Sequence, residues 1–139
     1  PQFIAMKLFP KIVALVLSYL TAGILGCGAP HSKPYAVALN KEANQAETLA
    51  ASGNYRKGAE AYETALENYK KEKNDAGILY SLRQMGIMQK RAGDYQTALK
   101  TFAEAKVVGK NVNGDAAEID AHIGDVYMFL GDFNKARTQ

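Results

Sequence analysis

Three short stretches of this chain repeat one another: "SGNYRKGAEAY", "AGDYQTALKTF" and "LGDFNKARTQ". Each puts a glycine before Asn or Asp, then an aromatic ring, then small residues. The glycines are Gly53, Gly93 and Gly131, so the spacings are 40 and 38 residues. A period of about 40 residues marks a stacked array, in which the apolar face of one unit is covered only by its neighbours.

The shared pattern has a local physical meaning. A glycine just past a helix adopts the left-handed conformation that closes the last turn. Asn54, Asp94 and Asp132 are then placed to cap the following helix by accepting from its free amides. Tyr55, Tyr95 and Phe133 open that helix. Tyr95, Ala98, Leu99, Phe102 and Ala105 fall on one helical face, and Tyr55, Gly58, Ala59, Tyr62, Ala65, Leu66 and Tyr69 form the same stripe. Upstream, Met85, Met88 and Ala92 correspond to Ile123, Val126 and Leu130. Gly86 and Gly124 occupy equivalent places where a neighbouring helix can approach closely. Asp75 and Asp115 are expected to start the first helices of the second and third units. Polar Gln45 and Thr48 stand in the first unit where its siblings carry apolar residues, as expected of a terminal unit.

These residues resemble the tetratricopeptide repeat family. The matching marks are Ala46, Gly86 and Gly124 in first helices, and Ala98 and Ala136, Tyr62 and Phe102, Ala65 and Ala105 in second helices. The resemblance implies an all-α fold, a right-handed α-solenoid of stacked helix-turn-helix units over residues 36–139. The units run over about 36–73, 74–113 and an incomplete 114–139. The usual period is about 34 residues, so these helices are longer. No family proline closes the second helices, and Gly58 replaces the usual alanine.

The N-terminal part reads differently. A basic region from Met6 to Lys11 precedes an apolar run from Ile12 to Leu25, then small residues and Cys27. That is the layout of a secretory signal peptide. Crossing a bilayer as a helix takes about 20 apolar residues, more than this run supplies. Ile24, Leu25, Gly26 and Cys27 resemble the lipobox of bacterial lipoproteins. The resemblance implies a signal-peptide helix within residues 1–26, cleavage after Gly26, lipidation of Cys27, and a tether over 27–35. Gly28 is not the aspartate that retains many lipoproteins at the inner membrane. The expected location is therefore the cell envelope, in a Gram-negative host the outer membrane facing the periplasm.

Charge and composition exclude other classes. The formal net charge is +3, but Lys7 and Lys11 precede Cys27 whereas all acidic residues follow it. The remainder is nearly neutral and offers no general attraction to a phosphate backbone, so no nucleic-acid partner is expected. One cysteine forms no internal disulfide, and two distant histidines, His31 and His122, make no metal site. No nucleophile is paired with a base, the run Glu60, Glu63 and Glu67 reads as a solvated face, and no cofactor is implied. An enzyme is not expected within this sequence.

Repeat arrays bind along the concave surface lined by first helices. By the family register this face offers Asn40, Asn44 and Glu47, then Tyr80, Arg83, Ile87 and Lys90, then Glu118, His122 and Asp125. Tyr80, Arg83, Ile87 and Lys90 share one helical face, which suits a protein or peptide partner carrying an acidic element. Ala43 and Glu47 stand where chaperone-binding repeats carry a Lys and Asn pair, so a C-terminal carboxylate is not the expected ligand. The reading is a membrane-anchored scaffold for a protein or peptide. The alternative is the front of a larger envelope enzyme, such as a caspase-like peptidase, with its catalytic domain beyond residue 139. The third unit stops short, so residues 27–139 are expected to be marginally stable and prone to associate.

Overall fold

The computed structural model describes residues 37–112 and 116–139. The signal segment, Cys27, the tether with His31, and Asp115 lie outside them. The described residues form helices α1 (Lys41–Ala51), α2 (Tyr55–Lys71), α3 (Asp75–Ala92), α4 (Tyr95–Asn111), α5 (Ala116–Phe129) and α6 (Phe133–Arg137). Each packs against the next in sequence, and the first helices α3 and α5 also touch. Among the described residues there is no strand, and the helices form a solenoid of antiparallel pairs.

The repeated glycines behave as their positions demand. Gly53, Gly93 and Gly131 have φ of 76°, 85° and 75°. Their amides donate to Ala50, Lys90 and Met128 carbonyls at 3.0, 3.1 and 3.0 Å. The next amides, of Asn54, Asp94 and Asp132, each reach back 2.9 Å to Leu49, Gln89 and Tyr127. These are paired bonds that satisfy the last carbonyls of the preceding helix. The turn after α2 has the same two bonds, from Lys73 to Lys70 at 3.1 Å and from Asn74 to Tyr69 at 2.9 Å. There the left-handed residue is Lys73, φ 53°, which hides the motif from a search for glycine.

The expected side-chain capping is only partly realised. Asp132 accepts from the Lys135 amide at 3.2 Å, but neither Asn54 nor Asp94 caps its helix with its side chain. Asn54 donates instead to the Ser52 hydroxyl at 2.8 Å, and Asp94 turns toward Arg56 at 3.5 Å. Caps accepting from backbone amides occur at first helices, where Asn40 accepts from Ala43 at 2.8 Å and Asn74 from Gly77 at 2.9 Å. Asp75 is the first residue of α3, as the sequence implies.

Aromatic rings pressed onto small residues set the spacing of the helices. Tyr62, Tyr69 and Phe102 are fully buried or nearly so, together with Ala46, Ala65, Ala98 and Ala105. A Cβ added to Gly86 would lie 2.6 Å from the Phe102 ring, and one at Gly77 would collide with the Tyr69 ring. Both glycines are therefore places where a ring takes the room of a side chain. At the far end of Tyr69 its hydroxyl donates to the Ala38 carbonyl at 3.0 Å and accepts from the Asn40 amide at 2.9 Å. One ring thus fastens the chain entering α1 and the first turn of α3.

Two apolar clusters result. One joins Ala43 and Ala46 to Tyr62, Ala65, Tyr69 and Met88, and the other joins Leu66, Leu79 and Leu82 to Phe102, Ile119, Ile123 and Val126. Ile78, Met85 and Ile87 of α3 pack against both, so α3 is the shared wall. Gln45 and Thr48 are exposed on α1. At the other end Met128, Phe129 and Phe133 are 58%, 65% and 68% exposed, and Leu130, expected in the apolar stripe, is also exposed.

Gly58 differs from Gly77 and Gly86. A Cβ there would meet Met88 Sδ at 3.5 Å and the Ala46 carbonyl at 3.6 Å, which are ordinary contacts. Alanine also lowers the backbone entropy lost on forming a helix. Gly58→Ala should stabilise the fold by about 0.5–1 kcal/mol, read as a higher denaturant midpoint with an unchanged slope.

Candidate functional site

The residues singled out from the sequence fall on or beside α1, α3 and α5, the first helices. The structure distinguishes those committed to the fold from those that face outward. Asn40 belongs to the fold. Besides capping α1, its amide donates to Tyr69 and its Nδ2 donates to the Ala65 carbonyl at 3.3 Å. Asn44 is exposed, with Nδ2 bonded to the Leu39 and Asn40 carbonyls at 3.2 and 3.1 Å. Ile87 is half-buried against both clusters.

Arg83 and Lys90, expected on a face that suits a partner's acidic element, are paired across the unit boundary. Arg83 donates to Glu118 Oε2 at 2.6 Å, and Lys90 donates to Asp125 Oδ2 at 2.7 Å. Both pairs span 35 residues, so opposite charges recur in the same relative register between α3 and α5. Partly exposed pairs of this kind contribute about 0–1 kcal/mol each. Their larger effect is to cancel charge, leaving this half of the face nearly neutral.

His122 sits inside that network. Its ring stacks on Phe102 with centroids 5.5 Å apart and 21° between planes. Its Nδ1 lies 3.3 Å from Lys90 Nζ, and its ring nitrogens lie 4.0 Å from Glu118 and 3.9 Å from Asp125. Burial, and next the Lys90 charge, push the imidazole below the usual histidine range against the opposing pull of Glu118 and Asp125. A neutral ring can accept at Nδ1 from the Lys90 ammonium, and Phe102 carries that contact on its outer face.

Glu47 has a different environment. Its Oε1 accepts from the Tyr62 hydroxyl and from the Tyr80 hydroxyl, the latter at 2.5 Å. The two rings meet edge to face, 6.1 Å apart at 66°. Burial, and next the bond to Glu47, push the Tyr80 phenol up to about 12. Tyr62 is raised for the same reasons, burial foremost. Both phenols therefore donate and hold their protons. The sequence reading treated Tyr62 as a core ring alone. A usable signal was present: the equivalent ring in the next unit, Phe102, has no hydroxyl, and a phenol within reach of a first-helix acid implies a bond between them.

Other ties went unforeseen. Lys106 pairs with Asp120 at 2.6 Å between α4 and α5, and Thr101 donates to Gln89 at 2.7 Å between α4 and α3. The side chains of Glu60, Glu63 and Glu67 are exposed and border a groove of about 570 Å³ between α2 and α4. Among the described residues no three His, Cys, Asp or Glu side chains gather as a metal site.

The lowered imidazole has a sign that can be checked. Below about pH 6.5 an unfolded chain protonates this ring more readily than the folded one does. The contribution of His122 is thus present above that pH and is lost as pH falls. Proton NMR should show one of the two histidines titrating below 6.5, with that signal absent in His122→Gln. The variant should also show a shallower loss of thermal stability between pH 7 and 5.5.

Comparison with known proteins places these features. The tetratricopeptide repeat family profile matches residues 35–106. Comparison with curated proteins finds no significant match. Among solved structures, the crystal structure of the tetratricopeptide repeat domain of Arabidopsis FLU is similar with a TM-score of 0.65 and 23% identity. That likeness covers 70% of this chain and 83% of the other, and at such identity it speaks for the fold alone. With the profile spanning more than half of the chain over the stacked helix pairs described above, this protein belongs to the tetratricopeptide repeat family, a family of protein–protein interaction scaffolds.

Proposed function

We propose that this protein is a lipid-anchored scaffold of a bacterial cell envelope that holds a protein or peptide on its first-helix face. The observation that carries the binding half is the division of labour between helices. Tyr62, Tyr69 and Phe102 of the second helices are buried in the core, whereas α1, α3 and α5 turn Glu47, Tyr80, Arg83, Lys90, Glu118 and Asp125 outward or half-outward. A face that mixes a ring, cations and acids in fixed mutual positions selects partners by electrostatic pattern.

The anchoring half rests on the order Ile24, Leu25, Gly26, Cys27 after a short apolar run. A single acyl chain holds a protein only marginally, and several chains on one cysteine hold it stably. In a Gram-negative host, Gly28 favours the outer membrane, with the array facing the periplasm. The proposed role is binding without catalysis.

Cell fractionation and capture test the two halves separately. Wild type should pellet with membranes and carry lipid on Cys27 by mass spectrometry, and Cys27→Ala should move it to the soluble fraction. Unmodified Cys27 in a soluble wild-type protein would contradict the anchor. For binding, a partner crosslinked to wild type in the envelope should be lost on combining Arg83→Glu with Lys90→Glu while the helical circular dichroism signal is kept. Equal capture by the variant would contradict use of this face.

A further inference from the structure

On the reading of the first-helix face as a binding surface, we propose that Glu47, Tyr62 and Tyr80 form a subsite for a basic side chain, lysine or arginine, of the bound peptide.

The charge map of the face leads there. Glu118 and Asp125 spend their charge on Arg83 and Lys90. Glu47 is half-buried and makes no ion pair among the described residues. Its hydrogen-bond partners there are two neutral phenols, both on Oε1, and Oε2 accepts no bond from the described residues. Neutral donors orient a carboxylate but leave its charge uncancelled, and a partly desolvated charge without a counter-ion favours a cation from outside. Both phenols keep their protons, so they donate to the carboxylate as neutral groups and hold it in place for an incoming donor. The nearest cation on α3, Arg83, lies one turn from Tyr80 with its NH1 committed to Glu118.

Tyr62 is fully buried, but Tyr80 is half-exposed beside the carboxylate. Three helices contribute: α1 gives the charge, α2 the buried phenol and α3 the accessible ring. The exposed Asn44 lies on α1 close to this position and offers a polar neighbour for peptide backbone. Arg83 and Lys90 each have a counter-ion on α5, whereas the acid at the other end of the face has none among the described residues.

The test uses the full chain and three blocked tripeptides, Gly-Lys-Gly, Gly-Arg-Gly and Gly-Glu-Gly, at constant ionic strength. NMR should show saturable shifts at the Glu47 side-chain carboxyl and the Tyr80 ring with the lysine peptide, the arginine peptide or both, and none with the glutamate peptide. Glu47→Gln keeps an acceptor for both tyrosines and should weaken binding at least tenfold. Glu63→Gln, on the outer face of α2, should leave it unchanged. No saturable shift at Glu47 and Tyr80 in wild type, equal binding of the glutamate peptide, or equal loss in the Glu63 variant would overturn the subsite. The wild-type localisation stands as a test even if the Glu47 variant folds poorly. Loss of the captured partner in the Arg83 and Lys90 variant, without these shifts, would retain the binding face and remove this subsite alone.

Discussion

A phenyl ring stands where a side chain of residue 86 would be. The close approach of Phe102 to Gly86 brings α4 onto α3 at a distance that no other residue type at 86 would permit without movement. The same ring stacks on His122 of α5. One aromatic residue therefore sets the separation of three helices in two units. Tyr69 does the corresponding work earlier, with its ring over Gly77 and its hydroxyl in the backbone ahead of α1. Stacked arrays draw stability from contacts between neighbours, and here those contacts converge on α3.

The proposed binding face follows from that spacing. Arg83 meets Glu118, and Lys90 meets Asp125, only because α3 and α5 are held side by side in one register. With these charges matched internally, the proposed binding face has a neutralised stretch toward α5 and, toward α1, an acid held by two phenols without an ion pair among the described residues. Such a surface discriminates more through mispaired charge in wrong partners than through net attraction. The core and the proposed binding face are also joined by a hydrogen bond, since Tyr62 fills the interior and its hydroxyl donates to Glu47.

Much of the fold was legible because backbone geometry and apolar spacing are local signals. The glycines announced the turns, and the stripes headed by Tyr55 and Tyr95 announced the buried faces. The fourth such turn escaped notice because Lys73 adopts the left-handed conformation that glycine advertises. Capping by Asn54 and Asp94 was misjudged because their residue types permit it but nearby side chains compete for the same atoms. The ion pairing among the first-helix residues was not legible. That Arg83 and Lys90 are paired depends on the offset between helices 35 residues apart, which tertiary packing sets and no local rule supplies.

The most direct measurement of the ring-on-glycine constraint is a double-mutant cycle by denaturant unfolding with Gly86→Ala, Phe102→Leu and both together. Overpacking should make Gly86→Ala costly alone, by about 1–3 kcal/mol. Beside the smaller Leu, the added methyl should cost much less, so the double variant should be more stable than the sum of the singles by at least about 1 kcal/mol. Additivity to within about 0.5 kcal/mol would mean that ring and glycine do not set each other's place, and the register on which the paired charges depend would need another origin.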